Sequence, residues 1–558
     1  MSLDSSASEG CFFKGRDRHA TRGRSMAAMM SFDLSYPGQR SFGSAAACLL
    51  LFTGLLPCPA QGPAPAAAAP ARPNVIVILA DDMGWGDARC YQPESKIPTP
   101  HLDRMAAEGV RFTDAHTPSS VCTPTRYGLL TGRYSWRTTL KKGVLDGFDP
   151  PLIEPGRETL ASFLKKQGYA TACIGKWHLG MTWTRKDGTP MPDRLTEGKG
   201  IHRGGEEVDF TQETVGGPVD HGFDSWFGIS ASLDMSPYVY LEGRRVVELP
   251  LEVQPSIKEP ALTTSSGVRS ATFVLEKVLP EFTRRAAAYV ESRAGKKEPF
   301  FLYLPLPSPH LPVVPDAEWN GKTGAGIYAD YTAQTDATAG AVMAALERSG
   351  QADNTLIVFT SDNGGLWHQW DPQEKDDARY QPTPRAAYNE ERGHRSNAGL
   401  RGTKADIWEG GHRVPFIVRW PAQVKPAVSD ALVELNDVFA TLAEITGTAM
   451  PDNAAEDSFS FLPVLKGNGG GRAFAVHHSL QGVFALREGA WKYVESRGSG
   501  GFTNPKKVLP KKGEPEGQLY RLDTDLAETR NLAAEETAIV EKMSNRLREI
   551  QKGARTRR

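Results

Sequence analysis

Cysteine is scarce in this 558-residue chain: there are six, and Cys11, Cys48 and Cys58 fall within the first sixty residues, leaving Cys90, Cys122 and Cys173 for the remainder. Three thiols exclude a disulfide framework, and whether Cys90 and Cys173 meet and pair in an oxidising compartment stays open. An excess of charge of either sign is also missing. The 65 Lys and Arg stand against 66 Asp and Glu for a net charge of −1, so nothing global points to nucleic acid or to an anionic membrane, and any basic site must be local. Long apolar runs and internal repeats are absent as well. The stretch Ala45 to Leu56 is too short for a comfortable membrane span, and no stable span is expected in the mature chain. This stretch follows Lys14, Arg16, Arg18, Arg22, Arg24 and Arg40, and it leads into Pro57-Cys58-Pro59-Ala60. Residues 1–60 therefore read as a signal peptide or leader, with Met26, Met29 or Met30 as alternative starts, and the protein as exported, periplasmic or secreted. Residues 61–73, rich in Ala and Pro, read as a linker.

From Asn74 onward, strand and helix patterns alternate. Val75 to Leu79 is a continuous β-branched and aliphatic run, which suits a strand buried on both faces of a parallel sheet. It ends in Asp81-Asp82. Thr99-Pro100 opens an amphipathic helix that Gly109 closes. A helix from about Glu158 to Gln167 precedes a strand over Tyr169 to Ile174, which ends in Gly175-Lys176-Trp177-His178. Phe273 to Arg293 reads as a long helix that Pro280 should kink or divide. Phe300 to Leu304 reads as a strand running into a proline-rich segment and His310. Asp330 to Leu346 reads as helix, and the strand Thr355 to Thr360 ends in Ser361-Asp362-Asn363. Four strands thus each release a polar cluster at the C-terminal end, the edge at which open α/β sheets bind ligands. The expected architecture is α/β: a large, mixed, mostly parallel sheet flanked by helices over 74–450, then a smaller subdomain of antiparallel sheet plus helix over 451–558. Within the first, Thr182 to Asp220, Ser232 to Ser266 and Asp371 to Arg395 are long polar insertions, candidates for substrate-facing walls.

Chemistry concentrates around Cys122, in Val121-Cys122-Thr123-Pro124-Thr125-Arg126. Pro124 suits the first turn of a helix, which places Cys122 at a helix N-terminus, where free backbone donors and the positive end of the dipole favour anions. Arg126, four residues on, lies on the same helical face and adds a planar cation. Asp81, Asp82, Asp362 and Asn363 offer hard oxygen donors from the ends of two strands, a set suited to Ca²⁺ or Mg²⁺ over zinc. Lys176, His178 and His310 add cations and proton carriers to the same edge, and Lys404 lies in the separate segment Leu400 to Gly411.

These segments together resemble the type I sulfatases of the alkaline-phosphatase-like superfamily, nearest in style to its arylsulfatase and N-acetylgalactosamine-6-sulfatase members. The resemblance runs from Asn74 to about Leu532. It is carried by Asn74 to Asp87, the CTPTR core with Leu129 to Arg133, Gly175 to Gly180, His221 to Gly228, Thr360 to Gly364, Leu400 to Pro415 and Leu519 to Leu532. It implies a fold of the alkaline-phosphatase-like kind and a sulfuric ester hydrolase acting on a sulfated carbohydrate or aryl sulfate. It implies oxidation of Cys122 to formylglycine by a maturation enzyme, and one Ca²⁺ per active site held by Asp81, Asp82, Asp362, Asn363 and position 122. The hydrated aldehyde would attack sulfur with help from Asp362, giving a covalent sulfo-enzyme. His310 would protonate the departing alcohol, and Arg126, Lys176 and Lys404 would neutralise the sulfuryl oxygens. His178 would assist collapse of the sulfated hemiacetal. His221 and Asp224 are expected to be structural. A phosphodiester or phosphonate monoester hydrolase is the alternative enzyme reading, and a glycan-binding protein on the same scaffold the non-enzymatic one.

Overall fold

The computed structural model describes residues 72–193, 204–259, 261–367, 389 and 391–557; the leader, most of the linker and parts of the insertions at 182–220 and 371–395 lie outside these residues. The main sheet holds ten strands, β1 (Asn74–Asp81), β2 (Val110–Phe112), β3 (Ala170–Lys176), β4 (Ser225–Ile229), β5 (Leu241–Glu242), β6 (Arg245–Val246), β7 (Phe300–Pro309), β8 (Thr355–Ser361), β9 (Phe416–Arg419) and β10 (Ala427–Ser429). Their spatial order is β10-β2-β9-β8-β1-β7-β3-β4-β5-β6. The five central strands from β8 to β4 run parallel; antiparallel pairs carry the sheet outward on both sides, and β10 closes one edge by pairing parallel to β2.

Alternate residues of β1 feed two separate cores. Val75, Val77 and Leu79 pack on the side of α2 (Cys122–Thr131), α3 (Leu160–Lys166) and α6 (Asp437–Ile445). Ile76, Ile78 and Ala80 pack on the side of α1 (Pro100–Glu108), α4 (Leu275–Ser292) and α5 (Ile327–Arg348). This is the physical meaning of the unbroken apolar run: a strand covered on both faces has no side for polar residues. A four-stranded antiparallel sheet follows, β11 (Phe474–His478), β12 (Phe484–Glu488), β13 (Trp491–Val494) and β14 (Gln518–Arg521). Helix α7 (Thr537–Lys552) packs on it through Met543, Leu547 and Ile550.

Two expectations from the sequence change. Pro280 does not divide α4, which runs unbroken over 18 residues: a proline removes one backbone donor, while Val278, Leu279, Phe282, Ala286 and Val290 hold the helix against the sheet. Strand β7 continues through Pro305 and Pro307 to Pro309 rather than stopping at Leu304. Its pairing with β3 ends at Tyr303 and its register with β1 slips beyond Leu79, so the prolines fall where ladder donors are not required. Cys90 and Cys173 are both free thiols. Among the described residues no helix is long and apolar enough to cross a membrane.

Candidate active site

The parallel strands deliver their polar ends to one place. β1 ends in Asp81 with Asp82 next, β3 in Lys176 with His178 two residues on, β7 just before His310, and β8 just before Asp362 and Asn363. Cys122 opens α2, preceded by the extended Val121, which supplies no side-chain cap. Lys404 comes from the loop before Glu409. All these side chains are buried. Asp82 (φ 68°) and His178 (φ 55°) sit in the left-handed region, a strain of about 1–3 kcal/mol per residue of the kind that clusters at functional sites. Gly175, at φ 135°, lets β3 pass β7: a Cβ there would stand 2.0 Å from the Pro305 carbonyl oxygen.

The charges are interlocked. Lys176 Nζ donates to Asp81 Oδ2 at 2.5 Å, and Lys404 Nζ lies 2.7 Å from Asp82 Oδ1. Arg126, fully buried, donates to Asp362 Oδ2 from Nε and Nη2 at 3.1 and 2.7 Å, and to the Lys176 carbonyl at 3.1 Å. Cys122 Sγ stands 3.6 Å from Asp81 Oδ1. His310 Nδ1 donates to the Leu311 carbonyl at 2.6 Å and its Nε2 lies 3.6 Å from Asp82 Oδ2. His178 Nε2 donates to the Leu145 carbonyl at 2.9 Å, and its Nδ1 has no hydrogen-bond partner among the described residues.

Burial alone would raise every carboxyl here. Against it, Lys176, His310, Arg126 and Lys404 hold Asp81 well below the usual carboxylate range, whereas burial and the neighbouring Asp81 charge push Asp362 up to about 6. Burial pushes the Cys122 thiol up. Burial, with Lys176 and Arg126 nearby, drives His178 well below its ordinary value, so its imidazole is neutral at pH 7 and Nδ1 carries a free lone pair. Lys404 is pulled down by burial and raised further by Asp82, with a net rise.

The donor set fits a hard divalent cation. Asp81, Asp82 and Asp362 supply carboxylate oxygens, and Asn363 Oδ1 is buried with no hydrogen-bond partner among the described residues, an orphaned acceptor of the kind such an ion satisfies. Asp81, Asp82, Cys122 and His310 offer ligand atoms within 4.8 Å of one another.

Sequence reasoning missed Ser232. Its hydroxyl accepts from Lys176 Nζ at 3.1 Å and contacts His310 Nδ1 at 3.0 Å, joining two site residues. It lies in an insertion that was read only as a wall, and nothing local separates it from Ser230 or Ser236. The Leu145 carbonyl, a main-chain atom, carries no sequence signal at all. His221 and Asp224 stand apart: Asp224 accepts from the Thr171 N–H at 2.8 Å, and His221 stacks on Trp177.

The chain matches the family model described as Sulfatase over residues 73–448. It is 34% identical over 514 residues to N-acetylgalactosamine-6-O-sulfatase of Bacteroides thetaiotaomicron, spanning 86% of this chain and 93% of that protein. It is 31% identical over 427 residues to arylsulfatase A of Homo sapiens, spanning 75% and 74%. A solved structure from work on glycosaminoglycan metabolism by Bacteroides thetaiotaomicron superposes with a TM-score of 0.72 at 32% identity, covering 86% of this chain and 100% of that one.

Proposed function

Because the chain belongs to the sulfatase family, and with it to the sulfuric ester hydrolases, we propose that it removes sulfate from a sulfated carbohydrate or aryl sulfate through position 122, oxidised to formylglycine, beside a Ca²⁺ ion. The observation that carries this reading is the placement of Cys122 at an uncapped helix N-terminus, 3.6 Å from Asp81, with two lysines and two histidines around it. Asp81, Asp82, Asp362 and Asn363 would hold the ion, which would supply fixed positive charge to a sulfate oxygen. A hydrated aldehyde at position 122 would supply two geminal hydroxyls, one to attack sulfur and one whose collapse releases sulfate.

The chain's own residues divide the remaining work. Lys176 and Lys404 offer ammonium groups to sulfuryl oxygens where charge shifts during transfer. Arg126 is committed to Asp362 and to the Lys176 carbonyl, so it orients the carboxylate that assists deprotonation instead of reaching substrate. His310 presents Nε2 to the leaving oxygen, because Nδ1 donates to Leu311; it gives up the Nε2 proton from the imidazolium form and is left as the neutral ring with Nδ1 protonated. His178, neutral with Nδ1 free, takes the proton whose loss starts the collapse. Export of the protein with its basic, apolar leader belongs to the same reading, as does dependence on a maturation enzyme.

Mass spectrometry of the tryptic peptide Phe112 to Arg126, from protein made with a maturation enzyme, should show the aldehyde. Cys122→Ala should abolish desulfation of sulfated sugars and aryl sulfates while leaving thermal unfolding unchanged. Active protein carrying only unmodified Cys122 would refute the mechanism. Faster turnover of phosphodiesters than of sulfate esters would refute the substrate class.

A further inference from the structure

After α7 ends at Lys552 the chain doubles back onto the segment 451–457. Thr556 and Arg557 donate their backbone N–H groups to the Glu456 carbonyl at 3.0 and 3.1 Å, the Thr556 hydroxyl bonds Asp457 Oδ1 at 2.9 Å, and Arg137 donates to the Gly553 carbonyl. Between this tail and the segment that follows α2 lies a cavity of about 450 Å³, whose walls include Arg133, Trp136, Lys141, Asp452, Glu456 and Arg555. It is separate from the chemistry described above. The ten residues of α2 lie between the two, a length of ~15 Å at the helical rise.

The cavity has more donors than the chain uses. Arg137 also lines it and is matched by Asp457, with contacts of 2.8 and 2.9 Å. Lys141 spends one N–H on the Trp136 carbonyl at 2.6 Å, and Arg555 donates to the Asp452 carbonyl at 2.8 Å. Trp136 is 5% exposed, yet its indole N–H has no hydrogen-bond partner among the described residues. Arg137, Tyr134 and Phe484 pack around its ring, and none of them supplies an acceptor for the N–H. Arg133 Nε makes no hydrogen bond either, its neighbour Glu456 standing 3.5 Å away. Buried donors without partners cost stability unless something else satisfies them.

One acceptor is left over as well. Glu456 is 8% exposed and gives Oε1 to Arg157 at 2.6 Å, while its Oε2 has no partner among the described residues. A bare oxyanion has only acceptors: it would satisfy the indole, guanidinium and ammonium groups and would leave Glu456 Oε2 unmatched and repelled. A ligand that carries an oxyanion and a hydroxyl on neighbouring atoms satisfies both sets.

We propose that this cavity is a second carbohydrate site, which binds a sulfated sugar unit by its sulfate group on Arg133, Trp136, Lys141 and Arg555 and by a ring hydroxyl on Glu456. The choice of sugar rests on the reading that the enzyme meets sulfated carbohydrates, but the site is distinct from the catalytic one. It would hold a polymeric substrate, or its product, without turning it over, and so add avidity for chains over single sugars.

Titration calorimetry on the full chain carrying Cys122→Ala tests this, with three probes: a 6-O-sulfated N-acetylgalactosamine oligosaccharide, its desulfated counterpart, and sodium sulfate. The sulfated oligosaccharide should show a binding event that the added pair Lys141→Ala and Arg555→Ala removes. Trp136→Phe, which keeps a ring and deletes the N–H, should weaken the same event about tenfold. Lys141 and Arg555 are exposed, so an unchanged unfolding midpoint is expected and confirms the fold of the pair variant. A titration curve that the pair variant leaves unchanged overturns the proposal, since binding at the catalytic pocket alone survives that variant, as does a pair-sensitive event of equal affinity for the desulfated probe. Sodium sulfate binding as tightly as the oligosaccharide would assign the cavity to the free ion and overturn it too. If catalysis on glycans fails while the pair-sensitive event remains, the function proposed above is wrong and this site stands.

Discussion

His178 and His310 sit in one pocket, each with one ring nitrogen held by a main-chain carbonyl, and the proposed mechanism gives them opposite proton transfers, which requires His310 to carry a second proton, on Nε2, before it acts as an acid. The Leu145 carbonyl fixes the proton of His178 on Nε2 and leaves Nδ1 open; the Leu311 carbonyl anchors His310 through Nδ1 and leaves Nε2 toward Asp82. If His310 protonates the leaving oxygen, its worth depends on how badly that oxygen needs a proton. His310→Ala should slow sulfated sugars, which leave as alkoxides, by about 10²–10⁴-fold, and should slow nitrophenyl sulfate far less. Equal losses on both substrates would remove His310 from that role. His178→Ala should leave alcohol release intact in the first turnover and slow sulfate release. Rapid mixing should then show a burst of alcohol stoichiometric with enzyme, and linear, equally slow appearance of both products would contradict the assignment.

At the scale of elements, the loop that carries Lys404 is tied to the small sheet by buried polar groups: Arg401 and Trp408 donate to Tyr520 and Gln518 of β14, and a lysine of β13 reaches back to the loop's acid. Lys492 of β13 stands 3.0 Å from Glu409 Oε1, 2.9 Å from Glu528 Oε1 and 2.9 Å from His412 Nε2. Burial would raise both acids; Lys492 holds Glu409 well below the usual range, while Glu528, beside Glu409, stays up at about 7. Lys492→Met should therefore destabilise the fold by about 3–5 kcal/mol, since it leaves the buried Glu528 carboxyl without its cation and Glu409 with Arg413 alone, 2.9 Å away, and Glu409→Gln added to it should recover part of the loss. Denaturant unfolding of the two variants measures both, and an unchanged midpoint for Lys492→Met would deny that lysine any weight.

The same scale shows what could be read in the sequence. Strands β1, β3 and β8 announce themselves because full burial forbids polar residues until the strand leaves the sheet, and so their polar ends marked the site. The extension of β7 to Pro309, next to His310, was hidden, because proline reads as a strand breaker when the missing neighbour on the β3 side is unknown. Ser232 and the Leu145 carbonyl were hidden for a related reason: their roles are set by what the folded loops bring beside them, and residue type alone does not encode that.

The whole molecule has the alkaline-phosphatase-like fold of its solved relatives, two cores divided by one sheet, with neutral histidines buried around the second sheet. His478 is one of them. Burial lowers it to about 4, with its bond to the Pro118 carbonyl opposing only weakly. An unfolded chain takes up this proton near pH 6.5, while the folded chain waits until about 4, so stability is present above pH 6.5 and drains away between those limits. At pH 5 the gap of about 1.5 units is worth about 2 kcal/mol. His478→Gln, which cannot titrate, should lose about 2 kcal/mol less stability than wild type between pH 7 and pH 5, as read by denaturant unfolding at each pH. Identical losses would mean that the ring titrates normally. Cys122 raises a question of time rather than energy. Only 2% of it is exposed, and it begins a helix that is buried along its whole length, so no second enzyme can grip it once the chain has folded. If position 122 is oxidised as proposed, modification and folding would be competitors for the same newly made chain. The active fraction of any preparation would then be decided by which finishes first, and molecules that fold with the thiol intact would be stranded: stable, correctly built, and beyond the reach of any oxidising enzyme supplied afterwards.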